Sequence, residues 1–310
     1  LRSAAFRMAS SFFHQSASIA STPIRPAALI ALILDDLTTG HPVAQVSGIG
    51  GIDQSMGKLI VPNRGGLVIY PGDVLAVDNY FTGRKENIAH LLKESNFEAM
   101  RHDICFPLYV EVDEIYHLAC PASPIHYQRD PVQTTKTAVH GSINMLGLAK
   151  RTGAKILLTS TSEVYGDHRE ERPLEETDRR IYGPTTQKRW AYADSKAMDE
   201  FLALAYHQER GLDCVIARLF NTVGPRQTGH YGMVVPRFVT AALSGAPLTV
   251  YGDGTQSRVF CHVLDAVNGL LALWDDAAAH GDVFNVGGVE VGGTLLLREP
   301  CRILTGTAAK

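Results

Sequence analysis

The chain is short of the features that define several whole classes of protein. Its five cysteines (Cys105, Cys120, Cys214, Cys261 and Cys301) are scattered, odd in number and free of Cys-x-x-Cys spacing. That excludes a disulfide framework and leaves no metal expected. Three of them sit in apolar runs, which predicts buried thiols in a reducing compartment and a cytoplasmic location. No apolar run approaches the ~18 residues that span a bilayer; "AALIALIL" (27–34) is far too short. Charge of either sign is never concentrated: 29 basic against 32 acidic residues leave a net −3, with no basic face for nucleic acid and no membrane-binding block. Acidic residues are missing altogether from the first 34 positions, which hold Arg2, Arg7, Arg25 and six serines. That composition fits a transit peptide. A chain that starts with Leu1 fits a truncated or misassigned start equally well.

What is present reads as an ordinary globular protein, with 310 residues, 45% of them hydrophobic. The length suits one large α/β domain, or a nucleotide-binding domain with a smaller lobe. From residue 73 the pattern is regular. "DVLAVDN" (73–79), "EIYHLAC" (114–120), "KILLTST" (155–161) and "CVIARLFN" (214–221) are short apolar runs separated by helical stretches, which implies βα units and a parallel sheet. One helix is expected between Asp130 as N-cap, with Pro131 at its first position, and Gly153 as C-cap. A second carries Tyr192 and closes near Gly211; Phe201, Leu204, Ala205 and Tyr206 are expected on its apolar face, with Glu200 and Glu209 towards solvent. Beyond residue 222, "TVYGDGTQSR" reads as a strand and turn, "VLDAVNGLLALW" as a helix and "DVFNVGG" as a last strand.

The chemistry centres on "RWAYADSK" (189–196), which sets Tyr192 and Lys196 four positions apart on one helix face. A neighbouring ammonium favours the phenolate, so the phenol can act as a general acid or base. Alone, the spacing is equally an aromatic packed on the core beside a solvated lysine. Thr161, Ser162 and Glu163 follow the "KILLTST" strand, at the carboxyl end where open α/β sheets bind ligands; their bland role is to cap the next turn.

A Ser/Thr strand end followed by Tyr-x3-Lys on the next helix resembles the short-chain dehydrogenases/reductases. "VDNYFTGRKENI", "RHDI", "IYHLACPASPIHYQRDPVQT", "NMLGLAKRTGAKILLTSTSEVYGD" and "ARLFNTVGPR" are similar to the extended, nucleotide-sugar branch, in particular the UDP-glucuronate decarboxylases (UDP-xylose synthases). "GPTTQKRWAYADSKAMDEFLALAYH", "YGMVVPRFV" and "YGDGTQSRVFCHVLDAV" look equally like bacterial NAD-dependent sugar epimerases and decarboxylases of that branch. The resemblance covers about residues 73–290.

It implies an NAD cofactor and a UDP-sugar substrate. Asp78, with Asn79 beside it, would bind the adenosine ribose; Asp103 and Ile104 would flank the adenine. Leu118, Ala119, Cys120 and Thr137 would line the cofactor. Tyr192 and Lys196 would serve cofactor and substrate together, with Thr161, Ser162 and Glu163 as their catalytic companions. Asn221, Arg226 and Arg258 would hold the nucleotide sugar. Thr-Ser-Glu after the strand favours decarboxylation of UDP-glucuronate to UDP-xylose through a 4-keto intermediate; a nucleotide-sugar 4-epimerase ranks second. Pairing as a homodimer is also implied.

The implied fold is a Rossmann-like doubly wound parallel sheet with a smaller C-terminal substrate-binding lobe and a degenerate first βα unit. The expected division is an atypical N-terminal segment (1–72), an NAD-binding domain (73–221), a substrate-binding lobe (222–290) and an atypical, truncated tail (291–310). The degeneracy lies in the glycine loop that lets backbone approach the cofactor pyrophosphate. Counting back from Asp78, its glycines should fall near Gln54, Gly57 and Ile60, and only Gly57 matches. "GIGG" (48–51) lies too far upstream, and Pro62, Gly65 and Gly66 interrupt the helix that should follow. Ala138 stands where the family has asparagine. These departures keep open a third reading, a catalytically inactive relic.

Overall fold

A computed structural model describes residues 28–31, 58–63, 66–71, 73–81, 83, 85–168, 172–224, 227, 233–250, 257–288 and 294–296. Arg226, Gln54, Gly57, the 48–51 glycine run, Cys301 and most of the two terminal segments lie outside them.

Seven strands form one wholly parallel sheet. They are β1 (Ala28–Ala31), β4 (Asp73–Asp78), β5 (Phe97–Arg101), β6 (Glu114–His117), β7 (Lys155–Thr161), β8 (Cys214–Leu219) and β12 (Val283–Val286). Their spatial order is β12-β8-β7-β6-β1-β4-β5, the doubly wound arrangement, with direction reversing about β1. Strand β1 comes from the segment set apart by sequence. Leu29 pairs with both Val74 and Glu114, and Ile30 with Leu75 and Ile115. The central strand is thus drawn from residues 27–34, not from those just before Asp73. That nearer stretch folds instead as an antiparallel hairpin, β2 (Lys58–Asn63) with β3 (Gly66–Pro71). Ile60 is therefore a strand residue paired with Ile69, and the interrupting Pro62 and Gly66 stand at the hairpin's closing end.

The side chains on the buried strands alternate between two cores, as a pleated strand requires. Ile115, Ile156, Leu158 and Ile216 point to one face, which is covered by α3 (Gly141–Thr152) and α4 (Trp190–Arg210). Tyr116, Leu157, Val215 and Ala217 point to the other, against Leu270 and Trp274 of α6 (Val263–Asp275). The helical stretch 131–152 begins as read: the Asp130 carboxylate accepts from the Gln133 N–H, and Gly153 closes it at φ 75°. It is not one regular helix, because α2 (Pro131–Thr135) passes through a wide π turn, Lys136–His140, into α3.

Three expectations about α4 are corrected. Phe201 is 57% exposed and Ala205 is exposed, whereas Glu200 is buried. The buried stripe runs through Tyr192, Lys196, Asp199 and Ala203, and Glu200 is kept inside by a forked ion pair to Arg218, at 2.7 and 2.9 Å. Thr249 and Val250, expected in a strand, carry no regular structure; the strand here is β10 (Ser257–Val259), paired with β13 (Thr294–Leu296). A short parallel pair, β9 (Thr222–Val223) with β11 (Cys261–His262), follows the sheet, and α5 (Val234–Ser244) lies between them in sequence. No helix among the described residues is long and apolar enough to cross a membrane.

Candidate active site

Strand order places a cleft at the carboxyl ends of β4 and β6, on either side of β1. A cavity of about 480 Å³ opens there, lined by Val77, Asp78, Asn79, Phe81, His102, Ile104, Ala119, Cys120, Pro121, Gln133 and Thr137. Six of the expected cofactor residues therefore meet in one place: Asp78, Asn79, Ile104, Ala119, Cys120 and Thr137. Asp103 borders an adjoining depression with Tyr80 and Arg101. Leu118 does not line the cavity; its side chain packs into both cores.

The chain past β4 is fixed by its own carboxylate and amide. Asp78 accepts from the Tyr80 N–H at 2.7 Å, and Asn79 from the Phe81 N–H at 2.9 Å. These short turns hold Tyr80 at φ 57°, in the left-handed region. Burial raises the Asp78 pKa, partly offset by the Tyr80 N–H. Burial also opposes charge on Asp103, yet bonds from Cys105 and Asn79 bring its pKa below the ordinary value. Cys105 and Cys120 are half-buried, and Cys120 faces the cleft; Cys214 and Cys261 are buried.

The residues expected to carry acid-base chemistry come from β7, the turn that follows it and α4, and that turn and α4 are in contact. Thr161 ends β7, and its hydroxyl accepts from the Glu163 N–H at 3.2 Å, so its observed contact is a cap on the turn Ser162–Tyr165. Ser162 is half-buried and Glu163 exposed. Tyr192 and Lys196 lie on α4, at 5% and 3% exposure. The Tyr192 ring stacks on Tyr127 of α1 (Pro124–Arg129), with centroids 4.8 Å apart and planes within 5°. Tyr127 is 4% exposed. Burial, with the field of Glu163, pushes its pKa up to about 12, against the opposing pull of Arg189. The Lys196 ammonium is bound to Asp199 at 2.8 Å, a contact that sequence reasoning missed.

Asn221 and Arg258 lie beyond the sheet, joined through β10: the Asn221 side-chain amide donates to the Val259 carbonyl at 2.9 Å. Both are exposed.

The NAD dependent epimerase/dehydratase family model matches residues 71–287. UDP-glucuronic acid decarboxylase 1 of Arabidopsis thaliana is 47% identical over 249 residues, 76% of this chain and 56% of the relative. UDP-glucuronic acid decarboxylase 1 of Xenopus tropicalis is 49% identical over 203 residues, 65% of this chain and 47% of the relative. The chain thus spans about half the length of the curated relatives it matches. Among solved structures, UDP-glucuronic acid 4-epimerase from Bacillus cereus, in complex with UDP-glucuronic acid and NAD, superposes with a TM-score of 0.63 at 27% identity, covering 73% of this chain and 72% of that one. The dTDP-glucose 4,6-dehydratase DesIV from Streptomyces venezuelae, with NAD bound, gives 0.63 at 28% identity, covering 73% and 69%. A seven-stranded doubly wound sheet, a cleft at its switch point and a family match over most of the chain agree: the chain belongs to the NAD dependent epimerase/dehydratase family.

Proposed function

We propose that the chain converts UDP-glucuronate to UDP-xylose and CO₂, with NAD as its resident cofactor. One observation carries the reading. The chain carries Thr161-Ser162-Glu163 at the end of β7 and Tyr192 with Lys196 on α4, and over the matched residues it is about half identical to proteins named UDP-glucuronic acid decarboxylases.

The cleft fits the adenosine half of a dinucleotide. A carboxylate at a strand's end, Asp78, would accept from the ribose hydroxyls, and it disfavours a 2′-phosphate. Asn79, Asp103 and Ile104 would border the adenine; Ala119, Cys120 and Thr137 would line the way to the nicotinamide, with Leu118 behind them. Bound NAD supplies a hydride acceptor that later returns the hydride. Lys196 would hold the nicotinamide ribose and favour the Tyr192 phenolate. Tyr192 would take the proton of the sugar 4-hydroxyl, while Ser162 donates to the oxygen as it becomes a ketone. That ketone is β to the carboxylate, so CO₂ departs and the bond's electrons enter an enolate. Glu163 would deliver the proton that replaces CO₂ on the ring carbon, and Tyr192 would return its own to the 4-oxygen. Asn221, Arg226 and Arg258 would hold the uridine diphosphate, the arginines by charge-assisted bonds.

In this arrangement residues 73–221 form most of the NAD-binding part and 222–290 the sugar-nucleotide lobe, with β1 inserted at the centre of the sheet and β12 added at one edge. Met198 and Phe201 of α4 are exposed, as are Val132 of α2 and Ile143 of α3, on helices that pack against α4. These apolar side chains support pairing with a second copy.

The test is product analysis after incubation with UDP-glucuronate and NAD. UDP-xylose should form, and Tyr192→Phe should lower turnover by about 10²–10⁴-fold. Formation of the 4-epimer with its carboxylate intact selects the epimerase instead. Failure to bind NAD in a calorimetric titration selects the inactive relic.

A further inference from the structure

The helix that carries Tyr192 and Lys196 brings a third ionisable group to the same buried stripe. Tyr192, Lys196 and Asp199 stand at successive turns of α4 and share its buried face. Asp199 is fully buried, and its Oδ2 lies 2.8 Å from the Lys196 Nζ, itself 3% exposed. A buried ammonium with no partner sheds its proton. Here burial opposes the charge, but Asp199 first, then Cys120 and Glu200, outweigh it, so the Lys196 pKa lies above the ordinary value. Burial raises the Asp199 pKa, and the Lys196 ammonium, then Ser142 of α3, work against that rise. The Ser142 hydroxyl in turn meets His117 Nε2 of β6 at 3.0 Å. Asp199 Oδ1 and His117 Nδ1 are buried without a partner among the described residues. A core built only for packing would replace such groups with apolar ones.

We propose that Asp199 is a positioning residue for the Tyr192–Lys196 pair: it fixes the Lys196 ammonium, keeps it charged, and through it sets the pH at which Tyr192 ionises. The inference rests on the reading of Tyr192 as the acid-base residue. The groups that face this chain of contacts are Glu200 on α4, His117 and Cys120 at the end of β6, and Ser142 on α3. Tyr127 on α1 lies against Tyr192, and is itself coupled to Glu163 and Arg189. Asp199 alone among these bonds the ammonium directly.

The experiment is an ultraviolet phenolate titration of the whole chain, each variant measured with and without Tyr192→Phe so that the difference reports Tyr192 alone. Asp199→Asn should move that titration up by about one pH unit or more, to where Lys196→Met moves it. The double variant should move it no further. Asp199→Glu should restore most of the shift. Ser142→Ala, which leaves the ion pair intact, should give a smaller shift in the same direction and serves if Asp199→Asn does not fold by near-ultraviolet circular dichroism. If Lys196→Met raises the titration while Asp199→Asn leaves it unmoved or lowers it, the proposal is overturned and the acid-base pair stands. If Lys196→Met leaves it unmoved, the pair itself fails, and the proposal with it.

Discussion

Tyr192 and Lys196 could be found from their spacing, because i and i+4 fall on one helix face whatever the fold. Their neighbours could not. Tyr127 is 65 positions away in the chain, and only the approach of α1 to α4 stacks the two rings. Glu200 looked like a solvent-facing acid because helical periodicity sees charge and not partner; its guanidinium comes from β8, 18 residues on. His117 is a comparable case. It is wholly buried, and burial with the nearby Lys196 ammonium lowers its pKa from 6.5 to about 3. In the unfolded chain it binds a proton below about 6.5, and in the folded chain only below about 3. Its contribution to stability is therefore complete above pH 6.5 and is lost progressively as the pH falls towards 3. Urea unfolding followed from pH 7 to pH 3 should show a shallower loss for His117→Asn than for the parent chain. Parallel curves would mean that His117 titrates alike in both states.

At the scale of elements, β4, β6, β7, β8 and β12 and the helices α2, α3, α4 and α6 were legible because apolar runs, caps and breakers coincide in them, whereas β5 and the helix α5, which begins inside a stretch read as loop-rich, were not. Nor was the first strand. Four residues, Ala-Leu-Ile-Ala, carry no alternation and no turn signal, and nothing local says that they lie between two strands more than 40 residues downstream. Their role is set by the slot between β4 and β6, which needs a strand bonded on both edges. Ile30 sits in the middle of that ladder, paired to Leu75 and Ile115. Ile30→Pro removes a donor from a central strand. It should abolish the cooperative urea transition, whereas Val68→Pro in the β2–β3 hairpin, outside the main sheet, should leave the transition in place. A normal transition for Ile30→Pro would remove β1 from the sheet.

For the molecule as a whole, the fold class was readable from the βα rhythm, and the residues expected at the cofactor came from the family resemblance, six of them lining one cleft. Association was less readable, since an apolar residue on a helix predicts burial and not which surface buries it. Phe201 illustrates this: it was expected in the core and is exposed, as are Met198, Val132 and Ile143. Such exposed apolar residues are best explained by a second copy. Light scattering should therefore give twice the chain mass for the parent, and a single chain mass for Met198→Asp combined with Phe201→Asp; a parent that runs as a monomer contradicts the pairing. The proposed reaction removes the sugar carboxylate, with Ser162, Glu163, Tyr192 and Lys196 as the residues that would act on it. UDP-glucuronate labelled with ¹³C at the carboxylate, incubated with the purified chain and NAD, tests it. Label should appear as CO₂, one equivalent for each UDP-xylose formed; label retained in a UDP-hexuronate product would rule decarboxylation out.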